Sequence, residues 1–282
     1  MSDHPNTRCV RKACDALGIP YQTHDAYGNF VAVGLDPVRY FVNAATPFNN
    51  GAVDKICKDK AFAAGLLKEV TRTPRTRGYF DPYPQDPQYA GYVVEKSYEE
   101  IADSILGEFP LPVIVKMNSG LKGKNVYLCK DRTEVLRAVE TIFNHELPSS
   151  DFVALAQEYI APKREYRAVV FRKKVLLVYE KDISGATFIG NLSPFHYENA
   201  RAAQVTDPAV ITRVRESIGG MFAVLDLEFG GIDLIEDNAG TLHVIELNTH
   251  PGFNYFVRDN GDGPLVAMYE NILRQLGANM TV

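Results

Sequence analysis

Phe229-Gly-Gly-Ile-Asp-Leu-Ile235 and Leu242-His-Val-Ile-Glu-Leu-Asn248 are two β-rich runs separated by Glu236-Asp-Asn-Ala-Gly240, a cluster of turn formers, and followed by Thr249-His-Pro-Gly252. Two such runs around such a cluster predict a hairpin. A turn that sets Asp233 opposite Val244 puts Glu246 opposite Gly231 and Asn248 opposite Phe229. Asp233, Glu246 and Asn248 then share one face, and Ile232, Leu234, Ile245 and Leu247 share the other. Directly opposed residues and alternate residues of one strand point the same way. Acidic and amide oxygens gathered on an otherwise apolar hairpin are costly without a cation. An oxygen-only set suits Mg²⁺, which shares its shell with substrate phosphates. The same alternation also fits a half-exposed hairpin whose polar residues face water, and a turn one residue longer would move Asp233 to the other face.

At 282 residues the chain can bury a real core and divide into two or three lobes. The net charge of −5 implies no broad basic face, which argues against nucleic-acid and membrane-surface partners. Cys9, Cys14, Cys57 and Cys129 lack CxxC spacing, so neither a zinc site nor a disulfide frame is expected. The start, Met-Ser-Asp-His, has no basic or apolar leader pattern, and no run is long enough to span a bilayer. These features point to the cytoplasm and leave room for a homodimer.

Helical spacing over Asn6–Leu17 sets Val10, Ala13, Cys14 and Leu17 on one stripe, with Gly18 as the stop. Strands are expected at 29–33 and 39–42, and one helix from about Val53 to Val70 carrying Lys55, Lys58 and Lys60. Gly78 to Gly91, rich in proline and aromatic residues, reads as a loop, and Tyr98–Leu106 as a helix. Pro112-Val-Ile-Val-Lys116 is a buried strand ending on a lysine, followed by Asn118-Ser-Gly-Leu-Lys-Gly-Lys-Asn125 and a strand at Val126–Cys129. A loop of glycine, hydroxyl and lysine groups suits phosphate, although its spacing is not that of the Gly-x4-Gly-Lys-Ser/Thr loop, and a merely structural turn fits it too. Arg132–Phe143 reads as a helix and Phe152–Ile160 as a strand. Glu165–Phe171 and Lys174–Glu180 form a second hairpin, and helices follow at Ile211–Leu225 and Pro264–Leu276.

The lysine-ended strand, glycine loop, Gln-Glu-Tyr-Ile strand end, Glu-x-Arg strand and Asp…Glu-x-Asn hairpin follow one another in an order that resembles the ATP-grasp superfamily, from about Asp54 to the C-terminus. Val-Ile-Glu-Leu-Asn-Thr-His-Pro-Gly is the most specific piece and is similar to that family's Glu-x-Asn-x-x-Pro-Gly segment. The resemblance implies an α/β (α+β) fold in which two α+β lobes hold ATP between them. A short N-terminal α/β region (1–52) would precede a small lobe with the phosphate loop (53–160) and a large lobe with the metal site (161–282).

By the same resemblance, Asp233, Glu246 and Asn248 are the metal ligands, for Mg²⁺ in two ions with Mn²⁺ as a substitute. Lys60 and Lys116 reach the ATP phosphates, and Ser119, Gly120 and Gly123 belong to the loop over them. Gln157, Glu158, Tyr159 and Ile160 hold the adenine through backbone groups, and Glu165 lies near the ribose. Glu165-Tyr-Arg167 and Phe188-Ile-Gly-Asn191-Leu resemble glutamate-adding ligases that modify ribosomal proteins. D-alanine–D-alanine ligases place an arginine where this chain has Gly231, and Arg167 on a neighbouring strand would supply that cation. The loop from Asn191 to Val205 departs from the ligase pattern, and the N-terminal region is shorter than the family's usual first domain.

The implied activity is an ATP-dependent carboxylate–amine ligase acting on an amino acid or peptide through an acylphosphate, with Arg167 and Lys116 as catalytic residues. An ATP-grasp kinase and a non-catalytic ATP-binding regulatory protein are the alternatives. No Ser/His/Asp nucleophile system is visible, and His243 and His250 read as structural.

Overall fold

The computed structural model describes residues 3–120, 123–147, 150–190 and 192–277. Helix α1 (Pro5–Leu17) opens with His4, whose ring accepts the Asn6 N–H, and closes on Gly18 at φ 66°. That left-handed conformation is where a glycine costs least. Cys9, Val10, Ala13 and Cys14 are fully buried along its inner stripe. Strands β1 (Tyr21–Thr23), β2 (Phe30–Val33) and β3 (Arg39–Val42) form a three-stranded antiparallel sheet. The expected pair is thus joined by a third strand, whose three residues are too short to show a pattern.

The single helix expected over Val53–Val70 is two, α2 (Gly51–Lys58) and α3 (Lys60–Leu67). Asp59 breaks it, with φ −88° and ψ 102°, and its carboxylate accepts the Phe62 N–H as the cap of α3. An aspartate competes for nearby backbone groups and favours a cap over a helix interior. The break places Lys60 at the first position of a new helix.

The stretch expected as a loop from Gly78 starts inside β4 (Thr76–Phe80), and the irregular part begins only at Asp81. Helix α4 (Tyr98–Glu108), β5 (Val113–Met117), β6 (Val126–Cys129), α5 (Arg132–Ile142) and β7 (Val153–Glu158) follow. The sheet order is β4-β7-β5-β6, antiparallel throughout. Ile101, Ile105, Val135, Val139 and Ile142 of the two helices cover one face in a core of their own.

A third, five-stranded antiparallel sheet carries the polar strand ends. Its strands are β8 (Arg164–Phe171), β9 (Lys174–Asp182), β10 (Arg201–Gln204), β11 (Phe229–Glu236) and β12 (Leu242–Asn248), in the order β10-β9-β8-β11-β12. Helix α6 (Pro208–Gly219) precedes β11, with a 3-10 turn at Gly220–Ala223 completing the expected helix. Helices α7 (Asn254–Asn260) and α8 (Gly263–Gly277) close the chain. On one face Tyr166, Ala168, Val170, Ile232, Leu234 and Leu247 pack against α2, α3 and α6. Val170, Ile232, Leu234 and Leu247, all buried, each contribute about 1.5–3 kcal/mol relative to exposure. On the opposite face Val169, Phe171, Tyr179 and Phe229 meet α1, α8 and the three-stranded sheet. That apolar cover stops short of the strand ends, where the same face carries Glu165, Arg167, Lys181 and Asp233.

The register of β11 with β12 differs from expectation. Asp233 lies opposite Glu246, Ile232 opposite Leu247 and Gly231 opposite Asn248. Up to the bulge the slip from the expected pairing is two residues, which leaves Ile232, Asp233, Glu246, Leu247 and Asn248 on their expected faces. A bulge between Asp233 and Leu234 then sets Leu234 opposite Val244, so Ile245 is the extra residue and Val244 takes its place in the core. Among the described residues no helix is long and apolar enough to cross a membrane.

Candidate active site

The polar end of the large sheet is a network of buried charge. Arg167 on β8 faces Asp233 on β11 and grips it with two bonds, Nε to Oδ1 at 2.5 Å and Nη2 to Oδ2 at 2.7 Å. Gly231 leaves room beside this crossing, since a Cβ there would press on Arg167 Cδ at 3.2 Å and Pro251 Cβ at 3.1 Å. Lys181, at the end of β9, lies 3.0 Å from Asp233 Oδ2 and 3.7 Å from Glu165 Oε2. Burial pushes the Asp233 carboxyl up, but Arg167 and Lys181 outweigh it and hold the group at about 2. Glu165 moves the other way: burial raises it, and Lys181 offsets only part of that.

Glu246, directly across from Asp233, is 3.3 Å from Lys60 Nζ. The same ammonium donates to Gly120 O at 2.5 Å and to Asn118 O at 3.3 Å, and Asn118 Oδ1 accepts the Ala61 N–H. The first turn of α3 therefore ties the large sheet to the glycine loop. Lys116, 5% exposed, donates to Gln157 Oε1 at 2.8 Å. Burial lowers its ammonium to about 8, with Glu246 raising it and Lys60 lowering it further. Lys60, Gln157, Ile245 and Glu246 line one narrow cavity between the sheets.

In the loop itself Ser119 donates through both N–H and Oγ to Asp151 Oδ2, at 2.7 and 2.8 Å. A carboxylate thus holds the donors expected to meet phosphate. A Cβ at Gly120 would lie 3.1 Å from Met117 Cβ, and Gly123 adopts φ 67°. Leu121 and Lys122 of the expected loop lie outside the described residues. In the segment expected at the adenine, Gln157 is paired within the sheet to Thr76 and Ile114, and the Glu158 N–H donates to Arg75 O at 2.8 Å. Tyr159 and Ile160 follow, outside the ladder.

Asp233, Glu246 and Asn248 fit a hard, oxygen-preferring cation. Among the described residues no three His, Cys, Asp or Glu side chains cluster as a metal cage. Two carboxylates and one amide cannot fill an octahedral shell, which leaves places for phosphate oxygens. Asn248 Nδ2 is buried with no hydrogen-bond partner among the described residues, so no bond from that nitrogen turns the amide away from a cation.

Lys181 and Asp151 are the members of this constellation that residue patterns do not single out. Lys181 closes the apolar run Leu176-Leu-Val-Tyr-Glu-Lys181, and only the sheet order brings it to Asp233. Its one signal is alternation: it shares a face with Tyr179, which lies opposite Arg167.

The RimK-like ATP-grasp domain matches residues 88–268. A probable alpha-L-glutamate ligase of Pseudomonas fluorescens is 26% identical over 187 residues, 66% of this chain and 58% of that protein. One from Shewanella pealeana is 24% identical over 222 residues, 78% of this chain and 42% of its own length. The chain thus spans about half the length of the curated relatives it matches. A D-alanine–D-alanine ligase from Bacillus anthracis shares the fold at a TM-score of 0.56 and 21% identity, over 81% of this chain and 68% of that one. With its four- and five-stranded sheets, the lysines between them and a family match running from the loop before α4 into α8, the chain belongs to the RimK-like ATP-grasp domain family.

Proposed function

We propose that the protein is an ATP-dependent carboxylate–amine ligase that activates its carboxylate as an acylphosphate and releases ADP and phosphate. The observation that carries this reading is the set of charges around Glu246: Lys60 at 3.3 Å, Lys116 and Arg167 within electrostatic reach and Asp233 directly opposite, with Asn248 two residues on in the same strand. The relatives' activities, probable alpha-L-glutamate ligation among them, point the same way and favour an amino-acid or peptide substrate.

In this reading Lys60 and Lys116 bind the ATP phosphates and neutralise their charge, and Ser119 exchanges Asp151 for a phosphate oxygen. Mg²⁺ held by Asp233, Glu246 and Asn248 would supply the remaining charge neutralisation. Arg167 and Lys181 fix Asp233 and spread positive potential along the floor on which a substrate carboxylate would sit. A carboxylate oxygen attacks the γ-phosphorus, the bond to the β-phosphate oxygen breaks, and ADP leaves. The amine then attacks the acyl carbon, loses a proton, and phosphate leaves with the electron pair of the broken C–O bond. Catalysis is mainly positioning and electrostatic stabilisation.

Hydroxylamine intercepts an acylphosphate as a hydroxamate and leaves a phosphate ester alone. The protein incubated with MgATP, hydroxylamine and pools of amino acids and short peptides should yield hydroxamates by mass, with ADP. Arg167→Ala should abolish that signal while retaining much of the ATP affinity. A stable phosphate ester with no amide product from any acceptor would make the protein a kinase, and ATP binding without turnover would make it a regulatory binder.

A further inference from the structure

Helix α2 and the end of β12 meet in a polar contact outside the chemistry above. Asp54, in the first turn of α2, accepts the Thr249 hydroxyl on Oδ1 at 2.5 Å. The same oxygen lies 3.2 Å from His250 Nδ1, and Oδ2 takes Lys58 Nζ at 2.6 Å. A carboxylate there is favoured by the helix dipole. Thr249 is 3% exposed and follows Asn248 directly, and its hydroxyl, also 3.0 Å from His250 Nδ1, makes its shorter contact with Asp54.

Asn248 needs such a support. It is the last residue of β12 in the ladder, paired with Gly231, and beyond it the sheet no longer fixes the backbone. Its Nδ2 has no hydrogen-bond partner among the described residues, so no bond from that nitrogen sets the direction of its amide. On the far side of the same segment, Asn6 Nδ2 of α1 donates to Pro251 O at 3.0 Å. The chain from Asn248 to Pro251 is thus clamped by one helix at Thr249 and by another at Pro251. The unit that holds Thr249 continues through Asp59 into Lys60, 3.3 Å from Glu246, so α2 and α3 engage β12 at two points.

We propose that Asp54 is a positioning residue: through Thr249 it holds the Asn248 amide toward the cleft shared with Asp233 and Glu246. The inference rests on reading those three residues as ligands of the nucleotide's Mg²⁺. A group hydrogen-bonded directly to a ligand changes metal affinity by roughly 10- to 100-fold when removed, and Asp54, which acts through the neighbouring Thr249, is expected at the low end of that range.

The test measures ATP affinity by titration calorimetry in Mg²⁺ and in EDTA. Wild type should bind more tightly in Mg²⁺. Asp54→Ala should lose roughly tenfold or more of that gain with its EDTA affinity unchanged, and Asp54→Asn, which keeps an acceptor for Thr249, should retain most of it. Thr249→Val should lose as much as Asp54→Ala, and the double variant no more than either, because both cut the same link. Should Asp54→Ala fail to fold, Thr249→Val carries the comparison alone. Equal losses in Mg²⁺ and EDTA, additive losses at the two positions, or no loss would overturn the positioning role. Wild type with no Mg²⁺-dependent gain would remove the metal reading itself, a result distinct from all of these.

Discussion

Replacing Lys116 by methionine should act in opposite directions on the nucleotide-free protein and on nucleotide binding. The ammonium is 5% exposed, and burial lowers it from 10.5 to about 8. At about 1.4 kcal/mol per pH unit, keeping it charged costs the fold about 3 kcal/mol near neutral pH. Methionine removes that cost but leaves Gln157 Oε1 without its donor, a loss of about 1–2 kcal/mol. The variant should therefore be more stable at pH 7 by about 1–2 kcal/mol, a rise of roughly 2–8 °C in the midpoint for a chain of this size. The sign then reverses with pH. Between 8 and 10.5 the folded protein has shed this proton and the unfolded chain has not, so wild-type stability rises relative to the variant. Above 10.5 only the missing hydrogen bond still counts, and the variant should be the less stable one. Nucleotide affinity should fall by about 1.5–3 kcal/mol, roughly 10- to 150-fold, because methionine cannot donate a charge-assisted hydrogen bond to phosphate. Urea titrations across pH 7–11 with calorimetric ATP binding at pH 7 measure both. A stability difference that does not change with pH, or unchanged ATP affinity, would refute the reasoning.

Arg167→Ala strips a buried carboxylate of its main partner and should cost about 3 kcal/mol in urea unfolding, the low end for a broken buried pair because Lys181 stays 3.0 Å from Asp233; an unchanged midpoint would mean Asp233 is solvated. Asp59→Ala removes the cap of α3 and should cost about 1 kcal/mol, with weaker ATP binding as Lys60 loses its fixed place; full ATP affinity would show that the helix break does not aim the lysine. Asp151→Ala should speed amide exchange at Ser119 without nucleotide, since both of its donors are tied to that carboxylate. Exchange equal to wild type would show that the tie does not restrain the loop.

The shared face of Asp233, Glu246 and Asn248 was legible because alternation survives any even slip of register, and the slip there is two residues, whereas Ile245 and Val244 exchange faces beyond the bulge. The register itself was not, since a bulge between Asp233 and Leu234 leaves no mark in a run of apolar and acidic residues. Asp59-Lys-Ala-Phe62 carries a cap pattern, yet the apolar spacing runs on through it and hides the break. Strand β4 was obscured by the prolines and tyrosines just beyond it. Lys181 and Asp151 act across strands or across 32 positions of chain, and local patterns do not reach that far.

The core of the four-stranded sheet has its own set of side chains, whereas the two cores flanking β8 and β11 draw on alternate residues of the same strands. Loss of either flanking core exposes one face of those shared strands, so these two should melt together. The chain passes into the four-stranded sheet only between Leu67 and Thr76, and returns between Glu158 and Arg164. Heating should therefore release that sheet as a separate cooperative unit. A nucleotide gripped by Lys116 on one side and Lys60 on the other would link the two, and scanning calorimetry should show two heat-absorption peaks merging into one as ATP is added.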